Sequence, residues 1–167
     1  MDRTKCIVSL GKLKYNLDLI RKHTNKKVIG VIKADGYGHG ILPVARALES
    51  KEVSYLAVAC FKEAVLLRDS GIRTPILVLG PTSYDQVEQA ALLNITLTVF
   101  SLDWLADLKV NHKLHLHLKV DSGMNRIGLR NIEEVKQALN IISDNELLEA
   151  EGIFTHYATA DSDYGYY

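Results

Sequence analysis

Short apolar runs alternate with amphipathic segments along the whole chain. Strand-like runs occupy 28–33, 55–60, 76–80, 96–100, 114–120 and 149–156, with an earlier one at 5–9. Helical spacing of apolar residues marks 11–23, 41–50, 61–70, 84–93, 101–108 and 131–143. Alternation of this kind predicts βα units around a parallel sheet. Turn pairs such as Ser70-Gly71 and Gly80-Pro81 punctuate it. No stretch is rich in Pro or Ser, so the pattern reads as one continuous architecture without a linker.

One segment narrows the fold. From Leu114 to Asp121 the chain alternates strictly, with Leu114, Leu116, Leu118 and Val120 on one face and His115, His117, Lys119 and Asp121 on the other. Strands of an open doubly wound sheet are covered by helices on both sides and should be apolar on both. A strand of a (β/α)8 barrel packs its outer face on helices while its inner face can turn polar near the C-terminal mouth. The expected fold class is therefore α/β of the (β/α)8 TIM-barrel type. A full barrel takes about 250 residues, whereas 167 residues supply about six βα units if 5–9 lies outside the barrel. The barrel is expected to be incomplete, and the chain, ending at Tyr167, to be the N-terminal part of a larger protein.

Composition limits the partners. The residues are 47% hydrophobic and 24% charged, and 20 Lys and Arg balance 20 Asp and Glu, which fits a folded globular protein. Without a basic cluster the chain is not built for nucleic acid or anionic lipid, and a small ligand suits it better. The longest apolar stretch, 55–61, is far short of a membrane span, and no signal-peptide core follows Met1, so the expected compartment is the cytoplasm. Cys6 and Cys60 lack C-x-x-C spacing and are expected to be buried free thiols.

Three segments carry candidate chemistry. In 31–40, Lys33 ends a strand and the glycines Gly36, Gly38 and Gly40 follow. At the C-terminal end of a barrel strand, a partly desolvated lysine amine can form a Schiff base with a carbonyl, although most lysines are simply solvated. The glycines allow close backbone approach to a ligand, but their spacing is neither the Walker nor the dinucleotide pattern. In 119–128, Lys119 ends the alternating strand and Arg126 sits in the next loop, where its planar fork suits an anionic oxygen. An ordinary surface arginine is the competing reading. His115 and His117 share a strand face, but no accompanying carboxylate or thiol set has ligand spacing, so hydrogen bonding inside the barrel is favoured over metal binding. In 151–161, His156 ends the last strand on the face of Gly152 and Phe154, which aims it at the same mouth as Lys33 if both strands belong to one barrel.

With these residues in view, the chain resembles the N-terminal barrel domain of the alanine racemases, pyridoxal-phosphate enzymes. The run Lys33-Ala34-Asp35-Gly36-Tyr37-Gly38-His39-Gly40 is similar to the family's cofactor-lysine signature, and the other motifs follow in the family's order. The resemblance implies that Lys33 joins covalently to the cofactor and acts as a catalytic acid–base group. It further implies that Tyr37 contacts the cofactor phosphate, that Arg126 bonds the phenolic oxygen and helps bind substrate, and that His156 lies against the ring. Lys119 matches a lysine that many members carry carbamylated. By the same resemblance the complete protein is a homodimer that supplies D-alanine for peptidoglycan. The second acid–base group is then a tyrosine of a C-terminal β domain absent from this chain, and the run 5–9 belongs to that domain. The 167-residue chain alone is expected to be inactive. A serine racemase of the same family, a non-catalytic barrel that carries pyridoxal phosphate, and a structural module with a decayed site are the competing readings.

Overall fold

The computed structural model describes residues 6–161. Six strands are neighbours in sequence order: β1 (Ile29–Val31), β2 (Tyr55–Val58), β3 (Ile76–Val78), β4 (Ile95–Val99), β5 (Leu114–Val120) and β6 (Leu148–Thr155). The pairs β1/β2, β4/β5 and β5/β6 run parallel, and β1 and β6 remain as edges, so the sheet is open. The helices are α1 (Leu10–Thr24), α2 (Lys33–Tyr37), α3 (Ile41–Glu49), α4 (Phe61–Asp69), α5 (Tyr84–Leu92), α6 (Leu102–Ala106) and α7 (Ile132–Ser143). The strand and helix alternation expected of a barrel fragment is present. The chain forms two compact units, the first ending at Ile76 and the second beginning at Leu77.

In the first unit, α1 starts where the Ser9 side chain accepts a hydrogen bond from Lys12 N (3.3 Å) and stops at Asn25, whose left-handed backbone returns its N–H to Arg21 O. Helix α3 buries Ile41, Val44, Ala45, Ala47 and Leu48, the face its apolar spacing predicts. Ile32, Leu56, Val58, Leu67 and Ile76 form the driest part of this core. Gly30 lies so close to Leu48 that a Cβ there would meet Leu48 Cδ1 at 2.6 Å.

In the second unit, Asn131 caps α7 by accepting from Glu134 N (2.8 Å), and Ser101 caps α6 by accepting from Trp104 N (3.2 Å). The buried Trp104 indole donates to Thr82 O (2.8 Å), so its polar atom is satisfied inside the apolar layer. Ile95, Leu97, Leu105, Leu114, Leu116 and Leu129 are fully buried. Most of the polar face of β5 is buried as well as its apolar one: His117 is 7% exposed and Lys119 4%, while His115 is half-buried. Burial of His117 and Lys119 is what an inward-facing barrel row predicts.

Three expectations need correction. Of the run 5–9, Lys5 lies outside the described residues and 6–9 has no regular structure. Ile7 is 90% exposed, and Ser9 serves as a helix cap; without a neighbouring strand an apolar triplet gains nothing by extending. Cys6 and Cys60 are free but exposed. Cys60 lies past the end of β2, where the chain leaves the sheet to cap α4, so the apolar run leading to it does not bury it. Lys33 does not end a strand: β1 stops at Val31 and Lys33 opens the turn of α2. Ala34, Asp35 and Gly36 form a left-handed turn (φ 52°, 53° and 62°), and Tyr37 continues it (φ 56°).

Candidate functional site

In the first unit the chain is gripped on both sides of Lys33. Buried Ile32 donates its N–H to Ala57 O (2.8 Å), extending the β1/β2 pairing by one residue. Directly after the lysine, Ala34 N donates to Glu63 Oε1 (2.7 Å). Lys33 itself is half-buried and stands two residues past the end of β1, at the start of α2. The left-handed turn that follows is closed by Gly36 N to Ile32 O (2.9 Å), Gly38 N to Ala34 O (3.2 Å) and Gly40 N to Asp35 O (2.9 Å). Left-handed backbone costs a non-glycine residue on the order of 1 kcal/mol or more, and here three such residues adopt it. Asp35 recovers part of that cost by accepting from Ile41 N (2.8 Å), the first helical residue of α3. Tyr37, 59% exposed, presents its phenol outward from the turn, and no atom lies within 4 Å of where a Cβ on Gly38 would sit.

In the second unit, β5 and β6 deliver Lys119, Arg126 and His156. Lys119 Nζ donates to Val120 O (2.9 Å) and lies 5.7 Å from the Phe154 ring centroid. Burial pushes its amine below the ordinary lysine value, Asp121 pulls the other way, and Arg126 adds to the lowering. The loop after β5 is tied at both ends. Asp121 Oδ1 accepts from Gly123 N and Asn125 N (3.0 Å each), which holds its carboxyl below the usual carboxylate range. Gly128 N donates to Phe100 O (3.1 Å), Leu129 N to Lys119 O (2.8 Å), and Asp121 N to Leu129 O (2.8 Å). Arg126 is presented between these ties, on the wall of a cavity of about 420 Å³ shared with Phe100, Ser101, Asp121, Gly128 and Glu134. Thr155, the last residue of β6, donates to Val120 O (2.8 Å) and contacts Ser122 Oγ (2.6 Å). Exposed His156 therefore stands one residue past the strand, on an anchored end.

In the β5/β6 pairing His115 stands opposite Glu149, His117 opposite Gly152 and Lys119 opposite Phe154. His115 Nδ1 is 3.0 Å from Glu151 Oε1 and 3.5 Å from Glu149 Oε2. His117 packs where Gly152 has no side chain, so close that a Cβ there would meet the imidazole at 2.8 Å. Burial holds the His117 imidazole below its ordinary value, against the opposing pull of Glu151.

Lys33 and Tyr37 thus share one turn of the first unit, while Lys119, Arg126 and His156 belong to the second, each at or just beyond the C-terminal end of a parallel strand. Within the first unit, the amine and phenol of one turn are groups that suit a carbonyl and a phosphate; within the second, the guanidinium in the loop after β5 suits an anionic oxygen. Sequence reasoning overlooked Glu63, Asp35, Gly128 and Thr155. Only Glu63 had a local signal, a glutamate at the third position of a helix, which usually reaches back to its own cap.

Residues 8–166 match the family described as alanine racemase, N-terminal domain. The chain is 44% identical over 163 residues to alanine racemase 1 of Oceanobacillus iheyensis, covering 93% of this chain and 43% of that protein. The solved alanine racemase of Oenococcus oeni superposes with a TM-score of 0.87 at 38% identity, over 95% of this chain and 42% of that one. A histidine racemase from Leuconostoc mesenteroides superposes with a TM-score of 0.83 at 32% identity, over 93% and 44%. The chain spans less than half the length of each of these relatives.

Proposed function

This chain belongs to the family of the alanine racemase N-terminal domain, and from that premise we propose that the protein carrying it interconverts L- and D-alanine with pyridoxal phosphate held on Lys33. One observation carries the reading: a half-buried lysine just past the C-terminal end of β1, the backbone on its two sides gripped by Ala57 and by Glu63. A freely moving surface lysine has no use for such a grip, whereas a covalent anchor needs its amine delivered to one point.

When bound, pyridoxal phosphate supplies an electron sink for the negative charge left at the substrate α-carbon. Lys33 would hold the cofactor, and its free amine would move the α-proton on one face. Tyr37 would hold the phosphate through its phenol, Arg126 would donate to the phenolic oxygen and help hold the substrate, and His156 would lie against the ring. Lys119 keeps Arg126 oriented. Burial lowers the pKa of its amine, which raises the share of the neutral form able to attack carbon dioxide; that would give a carbamate and release one proton, and the resulting anion would attract the guanidinium.

Racemisation also needs an acid–base group on the opposite face. We assign it to a tyrosine of a β domain in the partner subunit of a cytoplasmic homodimer. The 167-residue chain alone then leaves alanine unchanged. Relatives named as alanine racemases favour alanine over the serine-racemase and carrier readings. The likeness to a histidine racemase supports the view that this part of the protein serves the cofactor and leaves the substrate side chain to be read elsewhere.

Incubating the complete protein with pyridoxal phosphate, reducing with borohydride and mapping the modified peptide tests the assignment. The label is expected on Lys33, with D-alanine formed from L-alanine, and both are expected to vanish in Lys33→Ala. A label on another amine, or none, overturns it.

A further inference from the structure

We propose that Glu63 is a positioning residue for the lysine site, a carboxylate clamp that sets where the Lys33 backbone lies; this rests on the reading of Lys33 as the cofactor lysine. Glu63 is in the first turn of α4. Its Oε2 accepts from Ala59 N (2.7 Å), in the connection between β2 and α4. That bond alone is the ordinary service of a glutamate to the start of its own helix.

The other oxygen does something else. Oε1 accepts from Ala34 N (2.7 Å), 29 residues away, at the first left-handed residue after Lys33. One carboxylate therefore joins the connections that follow two adjacent parallel strands. Ala34 has no hydrogen-bonding group in its side chain, and its backbone is in a region it does not favour on its own. A short bond to an anion is strong enough to hold it there. With Ile32 locked into the sheet on the preceding side, Lys33 is the residue between two fixed points, and a turn free to relax to right-handed geometry would swing its side chain away.

The donor count makes the clamp separable from helix capping. Glutamine at this position retains one accepting oxygen and presents a donor where the second acceptor was, so it can serve Ala59 or Ala34 but not both. Alanine serves neither. We therefore compare Glu63→Gln and Glu63→Ala with the unaltered protein, each as the complete chain, by four measurements: urea unfolding, amide hydrogen exchange in the cofactor-free protein, borohydride labelling of Lys33 against pH, and racemase kinetics. The expected result for Glu63→Gln is a urea midpoint near that of the parent and faster exchange at Ala34 than at Ala59. Slower labelling of Lys33 and a kcat lower by about 10- to 100-fold, with a smaller change in KM, should accompany it. Exchange and labelling unchanged in Glu63→Gln overturn the clamp, as does a loss of activity fully accounted for by loss of folded protein. If Glu63→Ala does not fold, the glutamine variant decides alone. Should the unaltered protein take no label on Lys33, the function assignment fails, while the exchange at Ala34 still supports or overturns the clamp itself.

Discussion

Replacing Gly128 by alanine should destabilise the protein through a specific collision. The glycine sits at φ +125°, and a Cβ built on it would lie 2.8 Å from Lys119 O, 2.9 Å from Asp121 N and 3.1 Å from Lys119 Cγ. The first two atoms are backbone, and both are engaged: Lys119 O accepts from Leu129 N and Asp121 N donates to Leu129 O, each at 2.8 Å. Relief of the collision therefore requires stretching or breaking that pair of hydrogen bonds, a net loss of about 1 kcal/mol each. Forcing a side chain into the positive-φ region adds about 1–3 kcal/mol, for a total of about 3–5 kcal/mol. Gly123 provides the control, since it has a similar φ of +118° but no atom within 4 Å of its Cβ position. Its alanine variant carries the backbone strain alone. The two variants should differ by about 2 kcal/mol, which at a urea dependence of about 1–3 kcal/mol per molar puts the Gly128→Ala midpoint roughly 1 M below that of Gly123→Ala. Urea unfolding followed by far-ultraviolet circular dichroism measures both. Coincident midpoints would refute the view that the return of the chain at Gly128 is sterically fixed, and with it the claim that this return holds the loop bearing Arg126.

Two further outcomes follow from the same physical arguments. Burial pushes the Glu49 carboxyl upward, but hydrogen bonds from Thr74 N (2.9 Å), Arg73 N (2.7 Å) and Thr74 Oγ1 (3.1 Å), together with the Arg68 charge, outweigh it and leave the group below its ordinary value. A depressed folded-state value stabilises the protein above the unfolded carboxyl value of about 4.3. That contribution is lost as pH falls through the folded-state value, so stability should fall more steeply below about pH 4.3 in the parent than in Glu49→Gln, and equal slopes in acid urea titrations would contradict this. Gly152→Ala should cost about 1–3 kcal/mol by overpacking and move the His117 imidazole resonances, because its Cβ would fall within 3.0 Å of three ring atoms; an unchanged spectrum and midpoint would remove the close approach from the account of β5/β6 pairing.

The parts of the fold legible in the sequence are those where burial repeats along one element. β5 was readable to the residue because its side chains alternate between an apolar face and a polar one, and both Lys119 and His117 are where that alternation puts them. The turn after Lys33 was not readable in the same way. Three spaced glycines look like slack, yet the positive φ angles extend to Ala34, Asp35 and Tyr37, residues whose local preference is against them. Their conformation is set laterally, by a carboxylate from α4 and by the bond from Asp35 to the start of α3, and no window of neighbouring residues contains that information. The misreadings at 6–9 and Cys60 have the same origin: an apolar run states that burial is favourable, but whether a neighbouring strand or helix is there to provide it depends on the fold. The candidate site combines both kinds of residue. Lys33, Tyr37, Arg126 and His156 have side chains whose chemistry announces itself, whereas Glu63, Gly128 and Thr155 act on backbone atoms, and the one local signal among them, Glu63 in the first turn of α4, points to its own helix and not to Ala34. If lateral bonds of this kind hold the lysine turn in place, substitutions at Glu63 should disturb the chemistry of Lys33 more than substitutions at the exposed Gly38, although Gly38 lies within the recognisable motif and Glu63 does not.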